Sequence, residues 1–467
     1  MPDANPVAFI ENRTFDEIHL GEAASLSHVV TQRDIDLFAA VTGDVNPAHV
    51  DPAYAETDMF HHIIIQGMWG GGLISAVLGT RLPGPGTIYL GQELHFRRPV
   101  SIGDTITATV TVRDKRPEKG DVTLDTVCTN QHGDAVITGT AEARAPRVKV
   151  RRPRVVLPDI RIGRHDILHN LLARAVADTA VTTAVVYPVD AASLGAALDA
   201  AKAGLIIPVL VGPTARIEAA ARAASLDIAG FRLIDAADAP SAASRSVALI
   251  QAGEAAMLMK GDLHTETFMH PVVAAGTGLR TARRISHVYV MDVPEHPRLL
   301  LLTDGAINIT PTLAEKADIV QNAIDLAQVI GITEPHVAIL AAVETVSGRL
   351  PSTVDAAALC KMADRGQITG GILDGPLAFD NAISEAAARE KGIVSAVAGR
   401  ADILVVPDLE VGNMLAKQLS FLAGAEAAGL VLGARVPIVL TSRADSAATR
   451  LASCALGVLM VRAGQRA

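Results

Sequence analysis

Between Thr105 and Val112 apolar and polar residues alternate without a break. Ile106, Ala108, Val110 and Val112 fall on one side, and Thr105, Thr107, Thr109 and Thr111 on the other. Period two predicts a strand with one buried face. Residues Asp121–Thr129 and 135–143 read as a strand pair joined at Gln131-His132-Gly133-Asp134. Ahead of them the period lengthens. Asp34-Ile35-Asp36-Leu37-Phe38-Ala39-Ala40-Val41 reads as a short helix with Thr31 near its N-cap and Gly43 at its stop. Asp51-Pro52 opens another, with proline in its first turn. Residues 68–78 are apolar but carry Gly70, Gly71 and Gly72, each costing a helix about 1 kcal/mol relative to alanine. A central helix gripped by a curved sheet would justify them, because small residues permit close approach. One helix followed by a wrapped antiparallel sheet makes residues 1–146 an α+β unit.

The pattern changes twice more. Residues 147–165 hold Arg147, Lys149, Arg151, Arg152, Arg154, Arg161 and Arg164 among Pro146, Pro153 and Pro158. This predicts either a solvated linker or an electrostatic strip for an anionic partner. From residue 166 to 467 apolar runs alternate with helical segments. Ala184-Val185-Val186-Tyr187 and Ile206–Gly212 read as buried strands, with helices over 191–203 and 213–224. Further runs at 287–291, 299–302, His336–Leu340, 403–406 and 437–440 extend an α/β layout with a largely parallel sheet. The longest apolar candidate for a membrane span, 427–440, is interrupted by Arg435 and Pro437.

Composition narrows this picture. A chain of 467 residues exceeds one ordinary core. Its 49% apolar content with only 3% aromatics suits close-packed helices on sheets. The net charge of −9 argues against a general nucleic-acid binder. Cys128, Cys360 and Cys454 have neither metal-ligand nor disulfide spacing, and Met1-Pro2-Asp3-Ala4-Asn5 lacks the order of a signal peptide. The expectation is a cytoplasmic protein with no membrane segment and no bound metal.

Chemistry concentrates first at Asp44-Val45-Asn46-Pro47-Ala48-His49. A loop bent at Asn-Pro can bring a carboxylate and an imidazole to one point, where they can hold and deprotonate a water. Taken alone, Asp44 and Asn46 serve equally well as turn formers and His49 as a helix-cap neighbour. The span from Phe38 to Pro52, with Tyr89-Leu90-Gly91-Gln92-Glu93-Leu94-His95-Phe96 and Pro99-Val100-Ser101-Ile102-Gly103-Asp104, resembles the MaoC-like, (R)-specific enoyl-CoA hydratases. The resemblance implies a hot-dog fold. It implies Asp44 and His49 as the catalytic pair that activates water for a trans-2-enoyl thioester. It also implies Gly67 as the helix-start N–H that polarises the thioester carbonyl, and Ser75 as a polar neighbour. Gln66 stands where the family usually has histidine, a substrate-binding position expected to tune the site.

A second set of blocks resembles the phosphate acetyl/butyryltransferase family: Met259-Lys260-Gly261, 373–380, 401–413 and Leu440-Thr441-Ser442-Arg443-Ala444-Asp445-Ser446. The implied fold is an α/β pair of subdomains with the site in their cleft. The implied reaction is reversible acyl transfer between coenzyme A and phosphate. Arg443 would clamp the acyl phosphate dianion and Ser442 would hydrogen-bond it. Asp374, Asp380 and Asp445 are the base candidates by motif position, and Lys260 and Asn413 are substrate-binding candidates. The acetyl branch has an aspartate where this chain has Thr449, and the Ser-Arg-x-Asp-Ser form is closer to the butyryl branch.

The expectation is therefore a multidomain chain. A hydratase domain (1–146) precedes a linker (147–165) and an acyltransferase domain (166–467). Its substrates are coenzyme A thioesters and phosphate or acyl phosphate, it holds no tightly bound cofactor, and it forms a homo-oligomer. The alternative is a hydratase whose C-terminal domain only senses acyl-CoA and oligomerises.

Overall fold

The computed structural model describes residues 9–155, 166–176, 179–294, 296–440 and 445–466. The chain divides into two compact units, Met1–Ile162 and Gly163–Ala467.

The first unit runs β1 (Phe9–Glu11), β2 (Ala23–Val29), α1 (Gln32–Thr42), α2 (Pro47–Val50), α3 (Pro52–Thr57), α4 (Gly67–Thr80), β3 (Ile88–Phe96), β4 (Thr105–Arg116), β5 (Asp121–Thr129), β6 (Ala135–Arg144) and β7 (Arg151–Pro153). Five strands form an antiparallel sheet in the order β2-β4-β5-β6-β3. The alternation in β4 does what period two requires, because Ile106, Ala108, Val110 and Val112 are all buried. Helix α4 packs on this face through Ile74, Val77 and Leu78. This is the hot-dog arrangement. Gly70 explains the close approach: a Cβ there would stand 2.4 Å from Ile137 Cδ1. Gly72 does not need this account, since a Cβ there would meet nothing within 4 Å.

The basic segment requires a correction. Through Pro153 it is part of the first unit, not a solvated linker. β7 pairs antiparallel with β1. Asn12, fully buried, donates through Nδ2 to the carbonyls of Pro85 and Val148 and accepts the Val150 N–H. Lys149 pairs with Glu11 and Glu17, and Arg151 lies over the Phe9 ring. The hydrogen bonds that Glu17 accepts from Lys149 and from the Thr14 N–H hold its carboxyl well down, to about 2. Arg161 and Arg164 lie outside the described residues.

The second unit runs α5 (Asp166–Val176), β8 (Val181–Val186), α6 (Ala191–Lys202), β9 (Ile206–Gly212), α7 (Thr214–Ala223), β10 (Arg232–Asp235), α8 (Ala239–Gln251), β11 (Met257–Lys260), α9 (Thr265–Val272), β12 (Ser286–Asp292), β13 (Leu300–Thr303), α10 (Leu313–Ile330), β14 (His336–Leu340), α11 (Pro351–Asp364), β15 (Ile372–Leu377), α12 (Phe379–Ile383), α13 (Glu385–Glu390), β16 (Ile403–Val405), α14 (Leu409–Leu422), β17 (Glu426–Leu432), β18 (Ile438–Val439) and α15 (Ala447–Arg466). The strands form one sheet in the order β10-β9-β8-β11-β18-β17-β12-β13-β16-β14-β15. Two parallel blocks flank the antiparallel strands β17 and β12. Both faces are buried, as apolar runs without alternation require. Val185 belongs to one core and its neighbours Ala184 and Val186 to another. One face carries a single core along the sheet, while the other is split in two, one around Leu258 and Phe268 and one around Leu302 and Leu404. That split marks the two subdomains.

Helix α15 also departs from expectation, because by length and composition it passes as a membrane span. Its apolar side is core instead, with Cys454, Leu456 and Val458 buried.

Candidate functional sites

In the first unit, Thr31 caps α1 by accepting the Asp34 N–H, and Gly43 closes it in the left-handed region at φ 76°. The chain then enters the Asp44 loop. His49 sits not in a loop but on the four-residue helix α2, capped by Asn46, whose side chain accepts the Ala48 N–H. His49 Nδ1 lies 2.8 Å from the Ile64 carbonyl oxygen. A carbonyl only accepts, so Nδ1 carries the proton and Nε2 keeps its lone pair. His49 lines a cavity of about 300 Å³ together with Gln66, Gly67, Trp69, Phe96 and Val136. Gly67 begins α4, so the positive end of a fourteen-residue helix opens on this space.

Three expected residues are placed differently from one another. Asp44 is exposed and is not among the lining residues; its carboxylate accepts the Asn46 N–H at 3.4 Å. Ser75 lies on the exposed side of α4, away from the cavity, because its helical position is offset from the buried Ile74, Val77 and Leu78. Gln66 is 1% exposed and lines the cavity, yet its amide N–H₂ is directed at the backbone, to the carbonyls of Ile35 and Asp44. Those two acceptors fix the amide's orientation and leave Oε1 buried without a partner.

In the second unit a cavity of about 1,120 Å³ opens where the divided cores meet. Leu263 and Leu440 line it from one side, and Ala416 and Ala425 from the other. Lys260, at the end of β11, Asn413, on α14, and Asp445, before α15, all line it. Ser446 and Thr449 bring the N-terminal end of α15 to the same space. Ser442 and Arg443 lie outside the described residues, but Leu440 and Asp445, which bracket them in sequence, both line the cavity.

Asp374 and Asp380 are not brought to it. Asp374 lies on β15, an edge strand separated from β12 by three strands, about 19 Å at the usual spacing. Its carboxylate accepts the Gly375 N–H. Asp380 is exposed in the first turn of α12 and pairs with Lys391 at 3.6 Å. A turn motif does not reveal which strand of an eleven-stranded sheet carries it.

Sequence reasoning missed His287 and Tyr289, which line the cavity from β12. The available signal was a histidine opening an apolar strand. Burial lowers the affinity of the His287 imidazole for a proton, against the opposing charge of Asp304. The Tyr289 hydroxyl is raised by burial and by Asp445 and Asp304. The cysteines line neither cavity. Burial pushes the thiols of Cys128, Cys360 and Cys454 up to about 12.

Residues 241–458 match the family described as phosphate acetyl/butaryl transferase, and residues 20–132 match the MaoC like domain. Among relatives, the chain is 62% identical over 290 residues to a phosphate acetyltransferase of Rhizobium meliloti, covering 62% of this chain and 92% of that one. It is 42% identical over 296 residues to a phosphate butyryltransferase of Clostridium acetobutylicum, covering 63% and 97%. Among solved structures, the R-hydratase PhaJ1 of Pseudomonas aeruginosa in unliganded form is 45% identical, covering 33% of this chain and 100% of that one, with a TM-score of 0.33.

Proposed function

Because the chain belongs to the phosphate acetyl/butyryl transferase family, with a MaoC-like domain fused ahead of it, we propose that it is a coenzyme A enzyme with two active sites. The C-terminal site transfers an acyl group reversibly between coenzyme A and phosphate. The observation that carries this reading is the 1,120 Å³ cavity, which gathers Lys260, Asn413 and Asp445 from three distant motifs beside the start of α15. A cation and a helix N-terminus favour a dianionic phosphate. Arg443 would clamp the acyl phosphate bidentately, and Ser442 would hydrogen-bond the carbonyl or phosphate oxygens. Acetyl is the preferred acyl group, supported by the greater likeness to an acetyltransferase than to a butyryltransferase. This reverses the leaning of the Ser-Arg-x-Asp-Ser form.

The N-terminal site hydrates a trans-2-enoyl thioester to the (R)-3-hydroxyacyl product. The His49 tautomer supports it: Nε2 is free to take a proton from a water, with Asp44 as the second member of the pair and the Gly67 N–H facing the thioester carbonyl. The protein works in the cytoplasm as a homo-oligomer, and a monomer mass in light scattering would contradict that assembly.

Two assays on the intact chain test the pair of sites: hydration of crotonyl-CoA, and phosphate-dependent release of coenzyme A from acetyl-CoA. Asp44→Asn should lower hydration about 10²-fold or more and leave acyl transfer unchanged. Arg443→Ala should do the reverse. Binding of acetyl-CoA without phosphate-dependent turnover would turn the C-terminal unit into a sensor.

A further inference from the structure

His287 is 1% exposed, and its Nδ1 has no hydrogen-bond partner. Its ring packs edge to face on Tyr289, with centroids 4.3 Å apart. Opposite, a Cβ on Gly429 would stand 2.8 Å from Nε2 and 3.1 Å from Cε1, so the glycine is what leaves room for the imidazole. The Gly429 N–H is held by Ser453 Oγ at 2.9 Å, and Ser453 also lines the cavity. A buried nitrogen left without a partner is destabilising. Kept on the wall of a large cleft, such a group suits chemistry better than packing.

We propose that His287 is the general base that takes the proton of the coenzyme A thiol during acyl transfer. The proposal rests on the transferase reading above. With acyl phosphate bound, the thiol S–H bond breaks as an imidazole nitrogen takes the proton. The S–C bond forms at the acyl carbon, and the tetrahedral adduct breaks its C–O bond to phosphate. The departing phosphate takes the proton from the imidazolium and leaves as hydrogen phosphate. In reverse, hydrogen phosphate gives its proton to the imidazole as it attacks the thioester, and the departing thiolate recovers it. Every proton is returned and no further reactant is needed.

The groups around His287 suit this role. Burial keeps the ring neutral at physiological pH, so a lone pair is available. Once the proton arrives, Asp304 and the bound dianion favour the imidazolium. Asp304 itself is occupied, accepting from Ala306, Ile307 and Asn308. The Tyr289 phenol and the Lys260 ammonium on the cavity wall are proton donors. Asp445, His264 and Glu426 on the same wall are the competing bases.

The test compares wild-type, His287→Gln and Asp445→Asn full-length proteins in thioester formation from acetyl phosphate and coenzyme A, at pH 7 and pH 9. At pH 7 His287→Gln should lose about 10²–10³-fold in kcat, with KM for coenzyme A held within about threefold. The deficit should shrink at least about tenfold at pH 9, because solvent then supplies thiolate from a thiol of pKa about 8.5. His287→Asn provides the same comparison if glutamine disturbs folding. A deficit equal at both pH values, or activity within about threefold of wild type, overturns the proposal. A pH-dependent deficit in Asp445→Asn alone would move the base there. A wild type that forms no thioester overturns the transferase reading itself.

Discussion

Gln66 reaches two backbone carbonyls with one amide, tying the end of the Asp44 loop to α1 through Ile35. Both bonds are long, at 3.4 Å, so their value lies more in position than in stability. Gln66→Leu should lower hydration kcat about 10- to 100-fold, the usual effect of a small misplacement, and leave acyl transfer unchanged. Equal hydration rates would show that the loop does not depend on this tie. At this scale the sequence was only partly legible. Lys260 ends β11, Asn413 lies in the second turn of α14 and Asp445 stands just before α15, and all three border the cleft. Asp374, Asp380 and Ser75 fall elsewhere, since strand order and helical facing are nonlocal properties. His287 was hidden inside a strand signal.

Helix α1 shows how an element delivers a functional loop. Thr31 and Asp34 form a reciprocal capping box, and His28 also contacts the Asp34 carboxylate at 3.0 Å. Burial would raise the Asp34 carboxyl, but the bonds from Thr31 and His28 outweigh it and hold the group below its ordinary range. Thr31→Ala should cost about 1 kcal/mol at neutral pH, read from a urea midpoint. A depressed carboxylate stabilises the fold above its unfolded value of about 3.9 and ceases to as pH falls through its folded value. The gap between wild type and variant should therefore narrow below about pH 4; a constant gap would mean that Asp34 takes no part in the cap. Caps and alternation were legible here because both act within a few residues. The antiparallel pairing of β12 with β17 inside a largely parallel sheet was not, because those two strands meet across more than a hundred residues.

At the scale of the whole chain, the segment read as a linker is instead a strap on the first unit, held by Asn12 and Lys149. Composition showed its charge but not the buried amide waiting for its carbonyl. Asn12→Ala should destabilise the first unit by about 1–3 kcal/mol, leaving buried groups unpaired. It should also open Lys149 and Arg151 to trypsin. Equal cleavage at these two residues in wild type and variant would restore the solvated linker.

The three cysteines carry a consequence for a protein that handles activated acyl groups. At neutral pH a thiol held near 12 is ionised in only about one molecule in 10⁵, whereas an ordinary thiol such as that of coenzyme A is ionised to a few per cent. Thioester exchange and attack on acyl phosphate both require the thiolate. The three cysteine sulfurs are therefore poor acyl acceptors beside the thiol of coenzyme A.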